Sequence, residues 1–286
     1  VVYFDSESAI DPSFLERTGC DLERLMYVQA QSVEFVLETI EELLGASDEQ
    51  MVFIWDSLAF TPSVSDVEGD FNPQSSMAVK ARILAKGMSK LTIPLADKQA
   101  TLIVLNQLKT NIPQGPNARI VAMTTPYITP GGKAMHYSYS LRIWLTGRKA
   151  KSAFIEDDKG FRIGSEVKVK LEKSRFGTQG RSCAFRILWG TEQIGIRDEE
   201  SWFDAIKGSD SLSSAGAWYT LSTPDGYTKK FQPSKWTDLI TSDEEFKNHV
   251  IQIMDEEIVQ KFEKREGDAS SFYEDPDDLT VPVTSK

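Results

Sequence analysis

Three strand-like runs end in side chains that could do chemistry on a phosphate. Glu7 closes the opening VVYFDSE, Asp56 ends MVFIWDS, and Asn106-Gln107 end ATLIVLNQ. Each polar group follows a short, unbroken apolar stretch, the pattern of a strand buried on both faces in a mostly parallel sheet. In such sheets ligands bind outside the carboxyl ends of the strands. There, one carboxylate can hold a hydrated divalent cation while a second orients or deprotonates an attacking water. A single Asp at a strand end is as readily a loop cap. Three such endings side by side make a site.

The segments between these runs must position them. In DPSFLERTG, Asp11 is suited to cap a helix whose first residue is Pro12. RLMYV is a further strand. SVEFVLETIEELLGA places Val33, Val36, Leu37, Ile40, Leu43 and Leu44 at helical spacing, with Gly45 as the expected stop. A polar stretch, Thr61–Ser76, leads into the helical MAVKARILAKGMSKLTIPLA. The alternation predicts an α/β fold, its sheet covered on both sides. After residue 140, SLRIWL, EVKVKLEKS and CAFRILWG read as antiparallel strands extending that sheet. The core is expected over 1–196. A small α+β unit follows over 197–266, with AGAWYTL and the amphipathic DEEFKNHVIQIMDEEIVQKFEKR, and 267–286 is an acidic tail expected to be disordered.

With 40% apolar and 26% charged residues, the 286-residue chain has the composition of a globular protein. No apolar run approaches bilayer-spanning length, and no secretory signal opens the chain, so no membrane association is expected. Cys20 and Cys183 are isolated, and His136 and His249 are the only histidines. That excludes a conventional zinc site and a disulfide framework and fits a reducing, cytoplasmic setting. The net charge of −11 hides a segregation. Residues 1–79 hold 2 Lys/Arg against 16 Asp/Glu, whereas 80–182 hold 19 against 6, and 243–286 are acidic again. A basic middle can bind phosphates while an acidic tail competes with them; the plainer alternative is that these lysines and arginines only solvate helices.

In order along the chain, FDSESAIDP, DSLAFTP, LIVLNQLKTNI, TPGGKAMHYSYSLRI, GSEVKVKLEKSR and AGAWY resemble the ordered blocks of RecA-family recombinases. The EKSR segment and the divergent end are most similar to the phage UvsX proteins. The likeness covers about residues 1–200 well. It implies a RecA-like ATPase core that uses ATP and Mg²⁺, self-assembles into a helical filament on single-stranded DNA and exchanges strands with double-stranded DNA. The setting it implies is a bacterial or phage-infected cytoplasm.

The resemblance also implies roles. Glu7 falls at the catalytic glutamate, and Asp56, followed by Ser57, falls at the Walker B aspartate that holds Mg²⁺ through water. Gln107 falls at the γ-phosphate sensor, and Lys173 and Arg175 at two cations that reach the neighbouring protomer's nucleotide. Two DNA-lining loops correspond to about Ser63–Met77 and Leu108–Pro130. Met77 and Ile112 match apolar wedges between base triplets, and Arg82 matches a phosphate contact. A second basic position is taken by Ser89, with Lys86 and Lys90 flanking it as substitutes. Lys109, Arg119 and Lys133 add charge to the second loop, read as structureless, and Gly131-Gly132 would allow close backbone approach to phosphate. Ordinary packing is the competing account of Met77 and Ile112, and an ordinary strand-end charge pair that of Lys173 and Arg175.

One element of such a site is absent from the sequence: no GxxxxGK[ST] occurs, and Gly131-Gly132-Lys133-Ala134 is not one. The phosphate loop is expected upstream of Val1, which makes the chain an N-terminally truncated one that by itself binds nucleotide poorly. Two other readings stay open: a non-catalytic DNA-binding recombination mediator, and a hexameric helicase of the same superfamily.

Overall fold

The computed structural model describes residues 1–69, 77–125, 127–147, 153–177, 179–190 and 194–259. The chain divides into two compact units, Val1–Ile196 and a second from Arg197 onward.

In the first unit, β1 (Val2–Asp5), β2 (Met26–Gln29), β3 (Val52–Asp56) and β4 (Thr101–Val104) form a parallel sheet in the order β2-β1-β3-β4. The crossovers contain α1 (Pro12–Arg17), α2 (Val33–Ala46), α3 (Val64–Glu68) and α4 (Met77–Asp97). Asp11 caps α1 by accepting the Ser13 N–H at 2.9 Å, with Pro12 in the first turn. The Ser32 hydroxyl caps α2 by accepting the Phe35 N–H. Gly45 does not stop α2, which runs on to Ala46, because its backbone stays helical and never enters the left-handed region that terminates helices at glycine.

Val2, Phe4, Phe53 and Trp55 pack one face of this sheet against Val33, Val36, Ile40 and Leu44 of α2 and Leu84 and Leu91 of α4. The opposite face is not covered as expected. Tyr3 and Ile54 are half-buried there, and Ile103 is 46% and Leu105 40% exposed. Strand interiors apolar on both faces imply two covering layers; among the described residues one layer is present.

Gly87 sets the approach of α4 to α2. A Cβ there would lie 2.4 and 2.9 Å from the two methyl carbons of Leu37, itself buried. Ala is the better helix former by about 1 kcal/mol, yet overpacking costs about 1–3 kcal/mol. Gly87→Ala is therefore expected to lose a net ~1 kcal/mol, read from the midpoint of urea unfolding.

Between β4 and the antiparallel strands lie β5 (Lys109–Thr110), α5 (Ala118–Thr124), β6 (Tyr127–Ile128) and α6 (Gly132–Ser138). β5 and β6 pair as an antiparallel hairpin, Lys109 opposite Ile128 and Thr110 opposite Tyr127. The connection read as structureless thus has a hydrogen-bonded neck and a short helix.

β7 (Leu141–Gly147), β8 (Phe154–Glu156), β9 (Arg162–Ser174), β10 (Ser182–Leu188) and β11 (Gly195–Arg197) form a second sheet in the order β11-β10-β9-β7, with β8 paired to β9. This corrects the expected extension: the antiparallel strands make a sheet of their own, with no described ladder to β4. Short turns let β9 and β10 satisfy one another's backbone groups directly.

The second unit contains α7 (Glu199–Ile206), β12 (Leu212–Ala215), β13 (Trp218–Ser222), β14 (Thr228–Phe231), α8 (Trp236–Ser242) and α9 (Glu244–Ile253). AGAWYTL forms the β12–β13 hairpin around Gly216, whose φ of 62° suits glycine. Phe203, Phe231, Trp236 and Phe246 build its aromatic core. The tail expected at 267–286, residues 70–76 of the first loop and the side chains of Met77 and Lys133 lie outside the described residues.

Candidate functional site

The parallel register carries the chemistry to one rim. Asp5 on β1 lies opposite Asp56 on β3, and the Ser6 N–H donates to the Asp56 carbonyl at 2.8 Å, prolonging the ladder past the strand ends. There the chain turns. Asp5 Oδ1 accepts the N–H groups of Glu7 and Ser8, both at 2.9 Å, so a buried carboxylate shapes the turn that projects Glu7 outward. The Ser57 hydroxyl donates to Glu7 Oε1 at 2.9 Å, and the Ser57 N–H donates to Ser6 Oγ at 2.8 Å. The Asp56–Ser57 peptide is cis. Tyr3 donates its hydroxyl to Asp56 Oδ2 at 2.5 Å. Burial, together with the hydrogen bond and charge of Asp56, pushes the Tyr3 phenol well above its ordinary range, so it stays a neutral donor.

β4 reaches the same rim. Leu58 N–H donates to the Leu105 carbonyl and Leu105 N–H to that of Trp55, which seats Asn106-Gln107 beside the Asp56–Ser57 turn. Asn106 is occupied structurally, its side-chain amide donating to the Pro130 carbonyl at 2.9 Å. The Gln107 side chain is exposed and has no hydrogen bond among the described residues. Glu7, Asp56, Ser57 and Gln107 therefore stand on three adjacent strand tips. Among the described residues no three His, Cys, Asp or Glu side chains form a ready-made metal cage. A cation at Asp56 would rely on water and on ligand oxygens, as Mg²⁺ usually does.

Lys173 and Arg175 have local partners. The Lys173 ammonium donates to the carbonyls of His136 and Tyr139, at 2.5 and 3.0 Å, and the Arg175 guanidinium donates to the Tyr137 carbonyl. These carbonyls lie at the C-terminal end of α6, where unpaired acceptors and the helix dipole favour cations. Desolvation and the neighbouring Arg175 lower the Lys173 pKa. In this chain the pair anchors α6 to β9.

The basic residues are distributed along α4 and the long connection. Arg82 is exposed on α4. Lys86 lines a groove between α2 and α4 with Glu34, Glu38 and Glu41, and Lys90 pairs with Glu41 at 2.6 Å, so of the two flanks of Ser89 it is Lys90 that is engaged by a carboxylate. Lys109 sits at the hairpin neck, and Arg119 is exposed on α5. Ile112 is 82% exposed, which is not core packing. Gly131 and Gly132, with φ of 103° and 76°, have a structural reason to be glycine: Cβ atoms there would crowd Leu58 and Met135, and Ala81. They dock the end of the connection on α4, one residue from Arg82.

Sequence reasoning gave no role to Tyr3, Ser6 and Lys80. The Lys80 ammonium donates to the carbonyls of Leu58 and Thr61, at 2.8 and 2.6 Å, and pins the turn after β3 to α4. Burial lowers its pKa, an effect Lys109 reinforces and Asp66 opposes. Its signal was a lysine on the apolar stripe of an amphipathic helix. Tyr3, polar-tipped inside an otherwise apolar strand run, was the corresponding signal on β1.

Together, the parallel sheet, the acids and amide gathered on its carboxyl rim and the long connection leaving that rim define an α/β protein with its polar groups collected at the strand tips. The RecA N-terminal domain family matches residues 1–195. The chain belongs to the RecA family. It is 31% identical to Protein RecA of Fusobacterium nucleatum over 223 residues, 77% of this chain and 54% of that protein. It is 28% identical to Protein RecA of Leptospira biflexa over 218 residues, 76% and 52% of the two chains, and 26% identical to that of Haemophilus ducreyi over 279 residues, 95% and 70%. The chain spans about half the length of the first two of these relatives. Among the described residues no helix is long and apolar enough to cross a membrane.

Proposed function

We propose that this chain is the larger part of a UvsX-like recombinase: a DNA-dependent ATPase that coats single-stranded DNA as a helical filament and exchanges strands with a homologous duplex. The observation that carries this reading is the convergence of Glu7, Ser57 and Asp56 on adjoining parallel strand tips of a RecA-family chain, with the Ser57 hydroxyl 2.9 Å from Glu7. Glu7 accepts the proton of the attacking water, and Ser57 aims its carboxylate. Asp56 would hold Mg²⁺, and its oxygen donors, with those of Ser57 and Glu7, suit a hard cation. When bound there, Mg²⁺ would supply neutralisation of the charge on the phosphate oxygens. Gln107, free at the tip of β4 and joined to the hairpin neck, reports the γ-phosphate to the DNA loop. Lys173 and Arg175 exchange their α6 carbonyls for phosphate oxygens of the neighbouring protomer on assembly. We place the phosphate loop outside these 286 residues.

DNA follows the basic face of Arg82 and Lys86, the neck at Lys109, and Ile112 and Arg119 beyond it, with Met77, Gly131 and Gly132 as close-approach points. Affinity for single-stranded DNA is expected to fall linearly in log K against log salt. The double charge reversal Arg82→Glu with Lys109→Glu is expected to flatten the slope by about 1.4, at about 0.7 per lost phosphate contact. An unchanged slope removes both residues from the DNA path.

The non-catalytic mediator reading is favoured by one observation, the retention of Lys173 and Arg175 by carbonyls of their own chain. It predicts DNA binding indifferent to ATP and no nucleotide turnover even in an assembled, DNA-bound state.

A further inference from the structure

Two tyrosines on neighbouring strands make the same contact. Tyr3 on β1 donates to Asp56 Oδ2 on β3 at 2.5 Å, and Tyr27 on β2 donates to Asp5 Oδ2 on β1 at 3.1 Å. The register makes these one repeated device. Tyr27 lies opposite Tyr3, and Tyr3 opposite Ile54, so each phenol reaches the aspartate two residues further along the next strand. Side chains two apart share a face of a strand, so the diagonal reach is available to a ring as long as tyrosine and to no short side chain.

Each aspartate has one oxygen held by a phenol, which leaves the other for a different partner. Asp5 gives Oδ1 to the N–H groups of Glu7 and Ser8. Asp56 Oδ1 has no hydrogen bond among the described residues. A phenol is well suited as the donor here, because it fixes a carboxylate without neutralising it, where a lysine would compete with a bound cation.

We propose that Tyr3 and Tyr27 are positioning residues, a tyrosine–aspartate ladder across three strand tips that aims Asp56 at a hydrated divalent cation and holds Asp5 against the turn carrying Glu7. The ladder concerns the same strand-tip site and rests on the reading of that site as one for a metal-bound nucleotide.

The test uses the full 286-residue chain labelled with ¹³Cζ-tyrosine, with Tyr3→Phe and Tyr27→Phe to assign the two signals. Asp56→Asn is expected to shift the Tyr3 signal, because it changes the acceptor of the Tyr3 hydroxyl, while leaving Tyr27 unmoved. A Tyr3 signal that ignores Asp56→Asn overturns the ladder. Added Mn²⁺ is expected to broaden the Tyr3 signal, and Tyr3→Phe to weaken Mn²⁺ binding about 10-fold, the usual scale for a partner that orients a metal ligand. Undiminished Mn²⁺ affinity in Tyr3→Phe overturns the positioning role. If Tyr3 answers to Asp56 but no signal broadens with Mn²⁺, the ladder stands and the metal-site reading fails, so the two failures are distinguishable.

Discussion

If the proposed reading holds, Glu7→Gln in a longer chain that supplies the phosphate loop is expected to lower ATP turnover about 10²–10⁴-fold, the range of a lost general base, with nucleotide affinity little changed. Glutamine keeps the length of the side chain and can still accept the Ser57 hydroxyl through its carbonyl oxygen, so the turn built on Asp5 survives. What it loses is basicity. The defect should therefore appear in kcat with KM nearly constant, because the carboxylate acts on the water in the transition state and not on the bound substrate. On the same reading, filament assembly that answers to nucleotide occupancy should persist. Turnover within a few-fold of wild type would remove Glu7 from the chemistry. The 286 residues alone lack a phosphate loop sequence and are expected to show no Glu7-dependent hydrolysis; measurable turnover by this chain would overturn that expectation.

Trp55→Ala is expected to cost the first unit about 3–5 kcal/mol, about 10 °C in Tm at this size. Trp55 is fully buried beneath α2 and α4, one residue before Asp56. Its indole N–H donates to Thr61 Oγ1 at 2.7 Å, and that hydroxyl donates to the Ser57 carbonyl at 2.9 Å. The substitution therefore opens a cavity and also releases the turn that holds Ser57 against Glu7. Trp55→Phe separates the two effects: it retains most of the buried ring, loses the hydrogen bond and should cost much less. Urea unfolding of both variants is the measurement, and equal losses would show that the Thr61 bond, not the burial, dominates.

The strand tips were legible because their signal is local. VVYFDSE, MVFIWDS and ATLIVLNQ each combine an apolar run with a polar ending, and a period-free run of that length has few alternatives to a buried strand. The Asp11–Pro12 helix start was legible for the same reason: capping is a property of adjacent residues. Gly45 misled because glycine stops a helix only when the backbone turns left-handed, and here it stays helical. The hairpin neck of the long connection escaped because two-residue strands carry no period to detect. Lys173 and Arg175 illustrate a different limit. Their place at the end of β9 was readable, but their partners, the carbonyls of α6, are some 37 residues away in sequence.

The amino-acid sequence by itself determined the strand and helix order, the acids and amide at the strand ends, the charge segregation and the RecA-family likeness, since each depends on residue type and near-neighbour spacing. Only the tertiary structure decided that the antiparallel strands form a separate sheet, that Lys90 is paired with Glu41, and that Tyr3 and Tyr27 hold the two aspartates. Those outcomes depend on lateral register between strands and on which helix faces meet. Both are settled by collective packing and by the pairing of every buried polar group, which no short window of sequence encodes.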